Sequence, residues 1–277
     1  MPSTIGIVSI GQKPAFFAGR YFREILSSAS RTAVERGCQV KIIPLSHEQA
    51  VNPLAAGALL TAQSIDALLV VAPSTTLLDA LDVIFGTMPG IIISPPRLDV
   101  ELSYVASDNF GATRQIVDHL ADHGRRRIML LRPDVLTGDY WERTRGYETA
   151  AAALELPRLV AVLPHPITPA LVAELLAAHS PDALLAPSDG DAIALVRELR
   201  TLGHCVPEDI ALVGFDDEEF AAESNPPLTT VAQPIGEMAR RATLYLVDRL
   251  SGVSRRVYHA VLSNRLIVRT SCGAHGE

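Results

Sequence analysis

Cysteine, tryptophan, aromatic residues and net positive charge are all scarce in this sequence, and each scarcity closes off a class of protein. Only three cysteines occur in 277 residues, Cys38, Cys205 and Cys272, far apart and with no CxxC spacing. An odd, sparse set supplies neither a disulfide frame nor a zinc site and reads as reduced thiols in a cytoplasmic protein. Aromatics make up 5% of the chain, too few for an aromatic-rich β-sandwich. No run approaches the ~20 apolar residues of a membrane span. The start, Met1-Pro2-Ser3-Thr4-Ile5, enters an apolar strand with no basic and hydrophobic leader before it, so a soluble intracellular chain is expected. Lys and Arg total 24 against 31 Asp and Glu, a net charge of −7, which argues against a nucleic-acid surface. The cluster Arg125-Arg126-Arg127 is too short to reverse that.

Catalytic and cofactor motifs are missing as well. There is no GxxxxGK[ST] phosphate loop, no GxSxG elbow and no HExxH pair. The first strand-to-helix turn, Gly11-Gln12-Lys13-Pro14-Ala15, lacks the GxGxxG glycines that let a dinucleotide approach the backbone. Hence no cofactor is expected, and an α/β fold without these loops is not called a dehydrogenase or NTPase. His119 and His123 stand at i, i+4 on a helix without an acid in the metalloprotease position, so they read as helix surface and no metal is expected. In Asp216-Asp217-Glu218-Glu219 only the first acid, directly after an apolar strand, is a strong site candidate; the others are expected to face water.

What is present is a regular alternation. Hydrophobic residues are 48% of the chain, ample for a buried core. Apolar strands at Ile5–Ile10, Val40–Ile43, Ala67–Val71 and Ile91–Ile93 alternate with helical patterns. One helix shows Phe22, Ile25, Leu26, Ala29 and Ala33 on one face and Gly37 as its C′ residue. The pattern restarts with a helix near Gly111–His123 and then strands at Ile128–Leu131, Leu159–Leu163, Ala183–Ala186 and Ile210–Val213. A long helix, Gly236–Leu250, and a β-like stretch, Tyr258–Arg269, finish the chain. Strands apolar on every residue and separated by helices mean parallel sheets buried on both faces. The fold class expected is α/β, two doubly wound parallel-sheet lobes of roughly 100–150 residues each, with a ligand crevice at the carboxyl ends of the strands.

Five segments carry a family resemblance. Pro14-Ala15-Phe16-Phe17-Ala18 is similar to an Asn-Pro-Phe-Phe segment. Ser107-Asp108-Asn109-Phe110-Gly111, then His119-Leu120 and Gly124-Arg125-Arg126-Arg127-Ile128, resembles "DN-x-x-G … HL … GH-R-x-I". Arg143-Thr144-Arg145-Gly146-Tyr147 resembles "R-x-x-G-[FY]". Val206-Pro207-Glu208-Asp209-Ile210 through Gly214-Phe215-Asp216-Asp217 resembles "VPEDI … GFDD", and Pro227–Pro234 resembles "PLTTV-x-QP". These are the marks of the effector-binding core of LacI/GalR-type bacterial transcriptional regulators, a fold shared with type I periplasmic sugar-binding proteins. The resemblance implies one lobe of residues 1–123 plus 234–263 and another of 124–233 plus 264–277. It also implies a sugar or related polar effector held between the lobes, ligand-driven closure, a cytoplasmic homodimer, and DNA contact only through a helix-turn-helix domain not present in this sequence. A transport solute-binding protein is the alternative, counted against by the Pro227–Pro234 segment; an enzyme is a third class, for which no nucleophile–base pair can be assembled.

The resemblance assigns Arg143 and Asp216 to the ligand. A vicinal diol needs a planar donor fork and a two-oxygen acceptor, which Arg and Asp provide. Taken alone, Arg143 reads as a surface arginine paired with Glu142 or Glu148; the resemblance reverses that. Phe16 and Phe17 either wall the pocket or begin the first helix's core. Trp141, the only tryptophan, precedes Arg143 in a loop-to-helix turn and either stacks on a sugar or simply packs. Ser188 falls where the family often has Asn, and Asp189 beside it either caps the next helix or touches ligand. Gln233 lies at a lobe crossover as a polar contact. Pro95-Pro96-Arg97 replaces the family's Asp-Arg, keeping Arg97 and losing the acid, which implies an altered ligand preference.

Overall fold

A computed structural model describes residues 2–10, 19–134, 137–253 and 256–274. The chain divides into two compact units, Met1–Ser107 with Pro234–Leu262, and Asp108–Gln233 with Ser263–Glu277.

The first unit opens with β1 (Thr4–Ile10), α1 (Arg20–Glu35), β2 (Gln39–Leu45), α2 (His47–Val51), α3 (Pro53–Ala62) and β3 (Ala67–Val71). A 3₁₀ turn and α4 (Leu78–Thr87) lead to β4 (Gly90–Ile93) and β5 (Tyr104–Ser107). The second unit follows with α5 (Asn109–Asp122), β6 (Ile128–Arg132), α6 (Gly138–Ala153), β7 (Leu159–Val162), α7 (Pro169–His179), β8 (Ala183–Leu185), α8 (Asp189–Thr201), β9 (Ala211–Val213), α9 (Glu219–Glu223) and β10 (Thr230–Ala232). The chain then returns to the first unit with α10 (Ile235–Leu250) and β11 (His259–Leu262), and closes in the second with β12 (Arg265–Ile267).

In the first unit six strands form one parallel sheet in the order β11-β5-β4-β3-β1-β2. Because side chains alternate along a strand, Ile5, Ile7, Ala67, Leu69 and Val71 face a core made with Phe22, Ile25 and Ala29 of α1 and Met238 and Leu246 of α10. Val8, Leu68 and Val70 face the opposite core, with Leu60 of α3 and Leu81 and Ile84 of α4. Burial on both faces is why these strands read as unbroken apolar runs. Gly37 ends α1 as expected, with φ +72° and its N–H donating to Val34 O at 3.0 Å.

The second unit repeats the plan with a four-stranded parallel sheet, β7-β6-β8-β9. Ile116 and Leu120 of α5 and Tyr147 and Ala150 of α6 cover one face; Val172 of α7 and Leu195 and Leu199 of α8 cover the other. An antiparallel pair, β10-β12, stands beside it. The fold class is therefore α/β with two parallel-sheet units.

Some boundaries differ from expectation. Helix α5, expected in the first lobe up to residue 123, belongs to the second unit, where Ile116, Val117 and Leu120 join its core. The expected single stretch Tyr258–Arg269 is two strands in two sheets: β11 pairs with β5, and β12 with β10. Strands β5 and β10 and helix α9 are too short for periodicity to show. Asp108 caps α5 by accepting from Gly111 N–H at 2.8 Å. A Cβ on Gly111 would lie 2.2 Å from Asp108 Oδ2, which gives the Asp-Asn-x-Gly motif a local cause. Arg125-Arg126-Arg127 is a staple rather than a charged patch: Arg126 and Arg127 N–H groups donate to the Asp182 carboxylate, and Arg125 donates to Asp182 O and Pro207 O.

Candidate functional site

Helices α5 and α6 approach so closely that a Cβ on Gly146 would sit 2.4 Å from Phe110 O. This contact brings the inner face of α6 against the N-terminus of α5, and Arg143 projects from that face. It is buried, 7% exposed. Its Nε–H donates to Asn109 Oδ1 and its Nη1–H to Pro187 O, each at 2.8 Å. The guanidinium carbon lies 3.3 Å from the Phe215 ring centroid and 4.8 Å from that of Tyr140. Glu142 and Glu148 do not pair with it. They take Arg145 and Arg158 instead. A narrow cavity of about 10 Å³, near the space one water needs, runs beneath Arg143 among Thr113, Arg132, Tyr140, Pro187 and Phe215.

Asp216 follows β9 with φ +113°, and Asp217 has φ +53°. Positive φ in two successive non-glycine residues is costly, by about 1–3 kcal/mol each, and persists only where neighbours fix the backbone. The neighbours are visible. Asp216 N–H donates to Val231 O at 2.9 Å, and Asp217 accepts from Arg269 Nη2 at 2.8 Å. Thr230 Oγ1 and Glu218 N–H both donate to the Asp189 carboxylate, at 2.5 and 2.8 Å. Gly214 leaves the room for that carboxylate, since a Cβ there would meet Asp189 Oδ1 at 2.2 Å. Burial pushes the Asp216 carboxyl up to about 6, against the opposing pull of Arg143 and of the Gln233 hydrogen bond. Burial likewise pushes Asp189 up to about 7, opposed by its bonds from Thr230 and Glu218.

Several expectations need correction. Ser188, not Asp189, caps α8: its Oγ accepts from Asp191 N–H at 3.1 Å and donates to Asp191 Oδ2 at 2.9 Å. Asp189 turns inward, wholly buried. Of the four acids after β9, Asp217 is ion-paired with Arg269, so the expectation that it simply faces water does not hold, while Glu218 stands at the N-cap position of α9 without a side-chain capping bond. Trp141 lies inside the first turn of α6 rather than before it, half-exposed. Gln233 is the last residue of its stretch of the second unit. Its Nε2–H donates to Asp216 Oδ1 at 2.8 Å, and its Oε1 is buried without a hydrogen-bond partner among the described residues.

Arg143, Asp216 and Gln233 thus stand together in the second unit, with Ser188 one residue from the Pro187 carbonyl that Arg143 binds. Arg97 lies in the first unit between β4 and β5, more than half exposed and 3.4 Å from Asp99. Phe16 and Phe17 fall outside the described residues. Sequence reasoning missed Asn109, Tyr140 and Phe215 as parts of the constellation and left Asp189 open between a helix cap and a ligand contact. Asn109 and Phe215 sit inside quoted motifs, which was a usable signal; Tyr140 carried none. His119 Nε2 is 3.3 Å from Cys272 Sγ, and His123 Nδ1 bonds the His119 carbonyl. Among the described residues no group of three or more His, Cys, Asp or Glu could hold a metal ion, and no helix is long and apolar enough to cross a membrane.

The chain is similar to transcriptional regulators. Residues 117–272 match the periplasmic binding protein-like domain family. The chain is 31% identical to the HTH-type transcriptional regulator CelR of Thermobifida fusca, over 97% of this chain and 81% of that protein. It is 26% identical to the HTH-type transcriptional repressor CytR of Escherichia coli strain K12, over 92% and 76% respectively. A solved transcriptional regulator CelR–cellobiose complex superposes with a TM-score of 0.84 at 30% identity, covering 98% of this chain and 86% of that one.

Proposed function

The chain belongs to the LacI/GalR family of bacterial transcriptional regulators as an effector-binding core, and from that premise we propose that its effector is a neutral saccharide gripped by Arg143 and Asp216 without covalent chemistry. One observation carries the reading. A buried guanidinium, stacked on Phe215, has two of its N–H groups held by Asn109 and Pro187, neither of them a carboxylate. A guanidinium has five N–H donors, so its charged edge remains as a donor fork for sugar hydroxyls. Asp216, ionised above about pH 6, supplies the acceptor. Charge-assisted hydrogen bonds are worth roughly 1.5–3 kcal/mol each, so two or three make up a good share of the ~8 kcal/mol behind micromolar affinity.

Gluco-configured saccharides are the first candidates, because CelR, which forms a cellobiose complex, is the relative on which the family membership rests. Binding shifts the conformational equilibrium of the regulator by the effector's differential affinity for its states, and so changes operator affinity. A homodimer in the cytoplasm is the form in which this would act; sedimentation tests it. The direct test is a thermal-shift panel of cellobiose, glucose, ribose, glucose 6-phosphate, adenosine and hypoxanthine. Saturation at a hundredfold excess over Kd adds about 2.7 kcal/mol, a shift of roughly 5–10 °C for units of this size. A neutral saccharide giving that shift, and losing it in Arg143→Ala, supports the proposal. A shift only with phosphates or purines overturns it.

A further inference from the structure

We propose that Asn109 and Asp139 are positioning residues that fix how Arg143 presents its donors, through a relay in which Arg143 donates to Asn109 and Asn109 donates to Asp139. The inference rests on the reading of Arg143 as the ligand donor. A buried cation must find partners or it destabilises the fold. The common solution is a carboxylate in bidentate contact, which fixes the guanidinium but occupies two of its donors and cancels its charge. Here the carboxylate is one residue further away. Arg143 Nε–H donates to Asn109 Oδ1 at 2.8 Å, and Asn109 Nδ2–H donates to Asp139 Oδ1 at 2.9 Å.

The amide between them has two orientations of nearly equal shape, and its neighbours choose between them. Arg143 can only donate, so it requires the amide oxygen. A carboxylate such as that of Asp139 can only accept, so it requires the amide nitrogen. Both demands select one orientation, and the reverse would set donor against donor and acceptor against acceptor. The negative end also polarises the amide and strengthens its bond to Arg143. Both anchors sit on rigid ground: Asn109 is the first residue of α5 and Asp139 is in the first turn of α6, where a helix N-terminus favours negative charge. The guanidinium is thereby aimed and held through an amide oxygen and a carbonyl oxygen, with the Asp216 carboxylate near enough to feel its charge. That arrangement suits a neutral polyol and would be wasteful in a purely structural arginine.

The test is the side-chain Nε–H signal of Arg143 in ¹H–¹⁵N spectra of the full chain without ligand, assigned by its loss in Arg143→Lys. Stacking on Phe215 at 3.3 Å should move it upfield of the other arginines, and its exchange with water should be slow. Asn109→Asp sets two carboxylates face to face, and Asp139→Asn removes the charge that polarises the Asn109 amide. Each is expected to speed exchange at least tenfold. The double variant Asn109→Asp/Asp139→Asn restores a donor opposite an acceptor at both contacts and should recover slow exchange, which also keeps the test decisive if a single variant folds poorly. Exchange within twofold of the parent in both single variants, or no recovery in the double, overturns the relay. A parallel titration with cellobiose separates the two claims. Slow exchange restored by the swap, with no cellobiose binding to the parent, would support the relay and count against the saccharide reading. Cellobiose binding that is unchanged by Asp139→Asn would refute the positioning role.

Discussion

Replacing Asp189 with Asn should stabilise the protein above neutral pH and do little in acid. Asp189 is wholly buried, and its carboxyl is raised from 3.8 to about 7, chiefly by burial and further by Asp216 and Asp217. A carboxyl whose folded value exceeds its unfolded value binds a proton more tightly when folded. Stability from that source is fully present below about pH 4 and is lost as pH rises through about 7. The full loss, about three pH units, corresponds to ~4 kcal/mol, at ~1.4 kcal/mol per unit. Asn keeps the shape without the charge. Its carbonyl can accept from Glu218 N–H, and its NH₂ can donate to the Thr230 hydroxyl, which rotates to accept. About two units of the window lie between pH 5 and 7, so the advantage of Asp189→Asn should grow by roughly 2–3 kcal/mol between pH 5 and 8.5. Urea unfolding followed by fluorescence of Trp141, the only tryptophan and a member of the same unit, reads this directly. An advantage that does not change with pH, or a variant less stable than the parent at both values, would refute the reasoning.

Other expectations follow from the same unit. Gly146→Ala forces a Cβ to within 2.4 Å of Phe110 O, and overpacking against backbone should cost about 1–3 kcal/mol in urea unfolding. Tyr147→Phe removes a hydroxyl that donates to Ile128 O and accepts from Leu159 N–H, both at 2.8 Å; the stranded groups should cost about 1–3 kcal/mol with little effect on affinity. Effector affinity should fall about tenfold from pH 7.5 to pH 5, because Asp216, raised to about 6, loses its charge over that range. In Asp216→Asn the affinity should be weak and flat with pH by calorimetry.

The sequence made the frame legible wherever packing leaves a periodic mark. Ile5, Ile7, Leu69 and Val70 are buried on both sheet faces, so β1 and β3 stood out as apolar runs, and the one-sided pattern of Phe22, Ile25 and Ala29 marked α1. The four residues of β5 and three of β10 carry no such mark: β5 lies between the neighbouring β4 and the distant β11, and β10 pairs with the distant β12. Arg143 and Asp216 were reachable through the family motifs. Their setting was not. Nothing local says that Arg143 turns inward while Glu142 and Glu148 take other arginines, since that depends on the close crossing of α5 and α6 at Gly146. Asp189 shows the same limit: an acid after a serine at a helix start is an ordinary capping sequence, and only the loop after β9 reveals that it faces inward.

The central claim is that Arg143 and Asp216 together bind the effector. Calorimetric titration of the parent, Arg143→Ala and Asp216→Asn with the saccharide giving the largest thermal shift tests it most directly. Each variant is expected to lose at least tenfold in affinity with the fold intact by far-ultraviolet circular dichroism. Undiminished binding in either well-folded variant would contradict it.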